Sequence, residues 1–236
     1  MSVMASVFVT GGTGYLGRPL IAALLARRLD VHALVRPGSE ARLPPGARAI
    51  AGDALDAATF QRRIPAGATI VHLVGTPHPN PSKAAEFERV DLASIRATCR
   101  AARTAAARHL VYVSVAHPAP VMRAYIAVRR EGEDLIAATG IPATILRPWY
   151  VLGPGHRWPY LLLPLYALMR LIPSRRDTAI RLGLVTRGAM VAALTHAVVD
   201  PPAYGSRIVT VPEIAAAASK PFPPAGLVQR KGSALL

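Results

Sequence analysis

Three features of this 236-residue chain predict an α/β fold in which a parallel sheet is doubly wound by helices. Short β-branched runs alternate with stretches of helix length. The runs are apolar throughout, as strands buried on both faces require. The first run enters a helix through a glycine-studded turn, "TGGTGYLGR".

In chain order, "SVFVT" is the first strand, and the helix after it spans about Tyr15 to Arg28, with Leu16, Leu20, Ala23 and Leu24 on one face. "VHALV" (Val31 to Val35), "ARAIAG" (Ala47 to Gly52) and "TIVHLVG" (Thr69 to Gly75) are the next three strands. A long alanine-rich helix runs from Lys83 to Arg108, and "HLVYVSV" (His109 to Val115) is a fifth strand. A helix over Arg123 to Thr139 leads to "ATILR" (Ala143 to Arg147); on it, Glu131, Glu133 and Asp134 read as a solvated face. "GLVTRGAMVAALTHAVVDP" (Gly183 to Pro201) is one capped helix with Thr186 as N-cap, and "RIVTVPEI" returns as a strand. From Lys220 the prolines, glycines and basic residues carry no periodicity and suggest a mobile tail.

Gly11, Gly14 and Gly17 form G-x-x-G-x-x-G between a strand and a helix, the context that a dinucleotide-binding turn needs. Glycine permits the tight turn and close backbone approach to a pyrophosphate, and the helix N-terminus offers it free N–H groups. At the end of the second strand, where an acidic residue would favour NAD, stands Arg36, and Arg18 follows Gly17. Two guanidinium groups there suit a 2′-phosphate, so NADP(H) is favoured over NAD(H); the alternative is two solvated surface arginines. Asp53 in "GDALD" either meets the adenine amino group or caps the next helix.

Composition bounds the rest. With 52% apolar and 17% charged residues the chain is not intrinsically disordered. Cys99 is the one cysteine, which rules out a disulfide framework and points to a reducing compartment, so a cytoplasmic location is expected. The opening "MSVMASVFVTGG" lacks a basic region and runs directly into a strand, so no secretory leader is expected. The net charge of +15 rests almost wholly on dispersed arginines. It reads as coding bias or as a surface attracting anions, and no motif points to specific nucleic acid. No His/Cys/Asp cluster has metal-ligand spacing.

"TGGTGYLGR", "AGDALD", "HLVYVSV", "YIAVR" and "ILRPWYVLGPG" occur in an order and at spacings that resemble atypical and extended short-chain dehydrogenases/reductases. The likeness is greatest to NmrA-like and isoflavone-reductase-like proteins and to the dehydrogenase-like accessory subunit of respiratory complex I, over about residues 5–212. It implies a Rossmann core over 1–150, a small substrate-side lobe over 151–212 containing the returning strand and helix, and a short helix and mobile tail over 213–236. It also implies a cofactor-lining set of Gly11, Thr13, Gly14, Tyr15, Leu16, Gly17, Arg18, Arg36, Asp53, Ala54, Val74, Gly75 and Pro148.

In catalytic members a serine ends the fifth strand and Tyr-x-x-x-Lys follows on the next helix. The tyrosine passes the proton, the serine orients the substrate oxygen, and the lysine holds the nicotinamide ribose and lowers the tyrosine pKa. The matching positions are Ser114, Tyr125 and Arg129. Residues 125 and 129 share a helix face. Arginine keeps the charge but does not shed a proton, so a lysine-dependent relay would fail. In this resemblance "HRWPYLLLPLYALMRLIPSRR" (His156 to Arg176) belongs to the substrate lobe as a greasy lid or pocket wall; alternatively its arginines lay it on acidic lipid. The expected function is NADP(H)-dependent oxidation or reduction of a small apolar carbonyl or quinone-like compound. The alternative is a non-catalytic dinucleotide-binding module, a redox sensor or an accessory subunit, peripheral on membranes.

Overall fold

The computed structural model describes residues 5–154, 177–178 and 180–222. The lid or membrane segment expected at His156 to Arg176, and the tail beyond residue 222, lie outside the described residues.

The core is a seven-stranded parallel sheet of order β3-β2-β1-β4-β5-β6-β9. Its strands are β1 (Ser6–Thr10), β2 (Asp30–Val35), β3 (Arg48–Ala51), β4 (Thr69–His72), β5 (His109–Val113), β6 (Ala143–Leu146) and β9 (Ser206–Val209). The chain winds outward from β1 to β3, then crosses back so that β4 pairs with the other side of β1. That reversal opens a crevice at the carboxyl ends of β1 and β4, where doubly wound sheets bind nucleotides.

Successive strand residues point to opposite faces, so each strand serves two cores. On one face, Val7, Val9 and Val111 pack under α1 (Gly17–Leu25), α4 (Arg187–Val199) and α5 (Val211–Ala216). On the other, Phe8, Ile70 and Tyr112 pack under α2 (Ala93–Thr104), the π-helical turn Phe87–Leu92 that feeds it, and α3 (Arg123–Ala137). Each fully buried Phe or Ile contributes about 1.5–3 kcal/mol.

The expected helix at 83–108 is therefore a composite: Ala84–Glu86, the π-helical turn, then α2. The helix expected at 183–201 begins at Arg187, with Thr186 accepting from the Ala189 N–H at 3.1 Å as the proposed cap. The residues just before it are extended. Leu184–Thr186 forms β8, which pairs in parallel with β7 (Tyr150–Leu152) in a small second sheet. Within the span expected as a lobe, β9 is the seventh strand of the core sheet and α4 covers one of its faces. Among the described residues no helix is long and apolar enough to cross a membrane.

Candidate active site

The glycine turn is built for close approach. Gly11 sits at φ +73°, and a Cβ there would stand 3.0 Å from the Leu73 carbonyl at the exit of β4. A Cβ on Gly17 would overlap the Gly11 carbonyl oxygen and come within 2.7 Å of the Gly12 backbone. Gly14 closes the turn by donating its N–H to the Gly11 carbonyl at 3.0 Å. No side chain caps the N-terminus of α1. The turn thus presents an uncapped helix end at the crevice, which fits a pyrophosphate.

The sequence-predicted cofactor residues fall into five loops at the carboxyl edge of the sheet. Gly11, Thr13, Gly14, Tyr15 and Leu16 lie in the turn, with Gly17 and Arg18 opening α1; Arg36 follows β2; Asp53 and Ala54 follow β3; Val74 and Gly75 follow β4; and Pro148 follows β6. Arg36 is exposed and does not line the cavity of about 600 Å³ that holds Arg18. Asp53 accepts the Leu55 N–H at 2.9 Å in a local turn, and the capping role falls to Asp56, which accepts from Ala58 at 3.0 Å.

The helix α3 brings Tyr125, Arg129 and Glu133 to one inward face, because residues four apart stack along a helix. Arg129 is 6% exposed. Its Nη2 donates to Asp91 Oδ1 at 2.6 Å and its Nη1 to the Val113 carbonyl at 2.9 Å. The other oxygen of Asp91 accepts from the Thr76 backbone and hydroxyl at 2.8 and 2.7 Å. Gly75 closes over this pair: a Cβ there would overlap the guanidinium and lie 3.1 Å from Asp91 Oδ1. Burial opposes the Arg129 charge, but the neighbouring tyrosines and Asp91 outweigh it, and the guanidinium is held protonated.

Tyr125 is partly exposed, with its ring 4.9 Å from Phe87 and 5.1 Å from the Arg129 guanidinium carbon. Desolvation raises its phenol above the ordinary value and Arg129 works against that rise, so the phenol keeps its proton at neutral pH. Burial likewise pushes Tyr112, beneath the same guanidinium, up to about 12.

Glu133 departs from the solvated face that the sequence suggested. It is 9% exposed and accepts from the Ser114 hydroxyl at 2.5 Å, from Arg147 Nε at 3.0 Å and from Arg147 Nη2. Glu131 and Asp134 are exposed, and Glu131 pairs with Arg96. The four-residue spacing from Arg129 is the signal that distinguishes Glu133 from those two. With its hydrogen given to Glu133, the Ser114 hydroxyl offers only lone pairs to a ligand.

A second buried cluster escaped sequence reasoning. His72, at the end of β4, has the hydroxyls of Thr10 and Thr98 at 2.9 Å from Nδ1 and that of Ser94 at 3.3 Å from Nε2. Ser94 donates onward to the Asp91 carbonyl at 3.0 Å. The hydroxyls are best served by a neutral ring that accepts at Nδ1 and donates from Nε2. Burial, helped by the charge of Arg129, lowers this imidazole to about 3.

The family described as NAD(P)H-binding matches residues 11–157. A ceramide reductase of Caulobacter vibrioides is 30% identical over 182 residues, covering 73% of this chain and 55% of that protein. A 4-hydroxy-2-methyl-3-oxo-4-farnesyl-3,4-dihydroquinoline-1-oxide ketoreductase of Stigmatella aurantiaca is 29% identical over 168 residues, 62% of this chain and 50% of the relative. The chain spans about half the length of these curated relatives. A short-chain dehydrogenase/reductase superfamily protein from Agrobacterium tumefaciens, solved with bound NAD, superposes with a TM-score of 0.63 at 18% identity, over 86% of this chain and 76% of that one.

Proposed function

Since the chain belongs to the NAD(P)H-binding family, we propose that it is a reductase that uses NADPH to convert an apolar ketone or quinone-like compound to the alcohol. The observation that carries this reading is the neutral Tyr125 phenol, its ring 5.1 Å from the permanently charged Arg129 guanidinium. A nucleotide held by the Gly11–Gly17 turn would supply a hydride to the carbonyl carbon. Tyr125 supplies the proton to the oxygen, and the positive charge 5.1 Å from its ring favours the phenolate left behind. Arg129 does not shed a proton, so the phenolate is reprotonated from a group other than residue 129. Ser114, its hydrogen committed to Glu133, fixes geometry rather than donating to the substrate. The apolar substrate is inferred from the relatives named for a ceramide and a farnesylated 3-oxo-dihydroquinoline-1-oxide.

The test is NADPH oxidation with a panel of long-chain ketones and quinones. Tyr125→Phe should lower turnover about 10²- to 10⁴-fold while NADPH affinity stays within about twofold. One observation favours a second reading, a nucleotide held without turnover: the Arg129 guanidinium is tied to Asp91 and Val113. Under that reading the whole panel gives no oxidation, while NADPH still raises the melting temperature.

A further inference from the structure

Tyr15 fastens the small second sheet to the nucleotide turn. It stands two residues before α1, and its ring reaches Gly153, the residue that follows β7. A Cβ on Gly153 would overlap the Tyr15 hydroxyl oxygen and lie 3.4 Å from Cζ of the same ring and 3.2 Å from Arg187 Cβ. The backbone at Gly153 is not left-handed, so an alanine could follow it. Glycine is required there by the close approach of the tyrosine.

Arg187, the first residue of α4, holds its guanidinium carbon 5.2 Å over that ring, and the Tyr15 hydroxyl is buried. Gly153 and Arg187 directly follow Leu152 and Thr186, which are register partners of β7 and β8. One ring therefore carries contacts from the turn, from the exit of β7 and from the start of α4. A phenol ring is rigid along its length, and packed groups pass a displacement on rather than absorb it. The backbone on either side of Tyr15 is already committed. The Gly14 N–H donates to the Gly11 carbonyl at 3.0 Å, the Gly14 carbonyl accepts from Arg18 at 3.3 Å, and the Leu16 carbonyl accepts from Leu20 at 3.1 Å. A push on the hydroxyl is thus delivered to the turn that offers its N–H groups to a pyrophosphate.

Resting on the nucleotide reading above, we infer that Gly153 is a positioning residue for the cofactor. It acts through Tyr15: the space it leaves lets the ring seat against the exit of β7, and the seated ring fixes the turn in its binding geometry. The coupling is reciprocal, so a nucleotide in the turn steadies β7 and β8 in return.

Calorimetric titrations of NADPH and NADH into the wild-type chain, Gly153→Ala, Tyr15→Phe, the double variant of these two and Gly188→Ala test the assignment, with circular dichroism and melting temperature as controls for folding. Gly188 is exposed one residue past Arg187, and a Cβ there would meet nothing nearer than Thr186 Oγ1 at 3.9 Å. Gly188→Ala should therefore keep both affinities within about twofold of wild type. Gly153→Ala should lose about tenfold for both nucleotides, as overpacking against a rigid ring implies. Measured against Tyr15→Phe alone, adding Gly153→Ala should cost less than about twofold, because the atom it strikes is gone. Unchanged affinity in Gly153→Ala would show that the ring swings aside. An equal loss in both backgrounds, or a like loss in Gly188→Ala, would show a route other than Tyr15. Each of these results overturns the inference and leaves the nucleotide reading standing. Should Gly153→Ala not fold, amide exchange in the wild-type chain decides. Saturating NADPH should slow exchange in Tyr150–Leu152 and Leu184–Thr186, and exchange that the nucleotide leaves unchanged overturns the inference. A wild-type chain that binds neither nucleotide overturns the nucleotide reading itself, and the inference with it.

Discussion

Arg129 and Asp91 are each tolerable in the interior only because the other is there. Asp91 is 1% exposed, and its two oxygens are fully spoken for by Arg129 and Thr76. Removing one partner of such a pair leaves a buried charge uncompensated, at a cost of about 3–5 kcal/mol. Asp91→Ala should therefore destabilise the fold by about that amount in urea unfolding, and Asp91→Leu combined with Arg129→Met should recover most of the loss. A double variant no better than the single would show that the pair supplies more than mutual neutralisation. Tyr125 and Arg129 were legible in the sequence because their spacing is local. Asp91 was not, since a carboxylate in an alanine-rich helix gains its meaning from the strand end and the second helix that meet it. Glu133 lay between these cases: its phase on α3 was readable, but nothing local named Arg147 as the cation waiting for it.

At the scale of elements, the α1 N-terminus lies so close to the glycine turn that position 17 has no room for a side chain. A methyl group there meets Gly11 and Gly12 backbone atoms, which flexible side chains cannot relieve. Gly17→Ala should push α1 away from the turn, with NADPH affinity falling at least about tenfold and the melting temperature dropping several degrees, as about 1–3 kcal/mol of overpacking implies. Unchanged affinity would mean that the turn does not hold the pyrophosphate. This turn and the core strands were legible because β-branched runs and glycine spacing are short-range signals. The π-helical turn was not, since Phe87 and Asp91, four apart, would share a face of an ordinary α-helix as well, and nothing in its residues separates it from the helix on either side. The pairing of β7 with β8 was hidden for another reason: three-residue strands leave too little pattern to register.

Across the whole molecule, stability should track the protonation of two buried imidazoles. His72 and His109 are both lowered to about 3, in each case chiefly by burial. Arg129 adds to the effect at His72; at His109, Arg207 and Arg108 add to it and Asp200 opposes it. Below the unfolded value of about 6.5 the unfolded chain takes up protons that the folded chain refuses. Stability is thus complete above that value and falls as pH falls, down to about 3. Between pH 7 and pH 5, where most carboxylates stay ionised, each imidazole should remove about 2 kcal/mol. Urea midpoints at the two pH values measure the loss, and His109→Asn should remove about half of it. Equal stability at both values would mean that the interior accepts these protons. The order of the sheet has a consequence in time as well as in space. Ser206 pairs with Ala143, so β9, the last of the described strands in chain order, covers the edge of β6. On the ribosome the first six strands emerge with that edge bare, a row of unpaired N–H and C=O groups that another nascent chain can join. Closure then waits on a pairing far apart in sequence, and such pairings form slowly. A chain halted before Val209 should accordingly accumulate as aggregate, whatever the quality of its nucleotide turn.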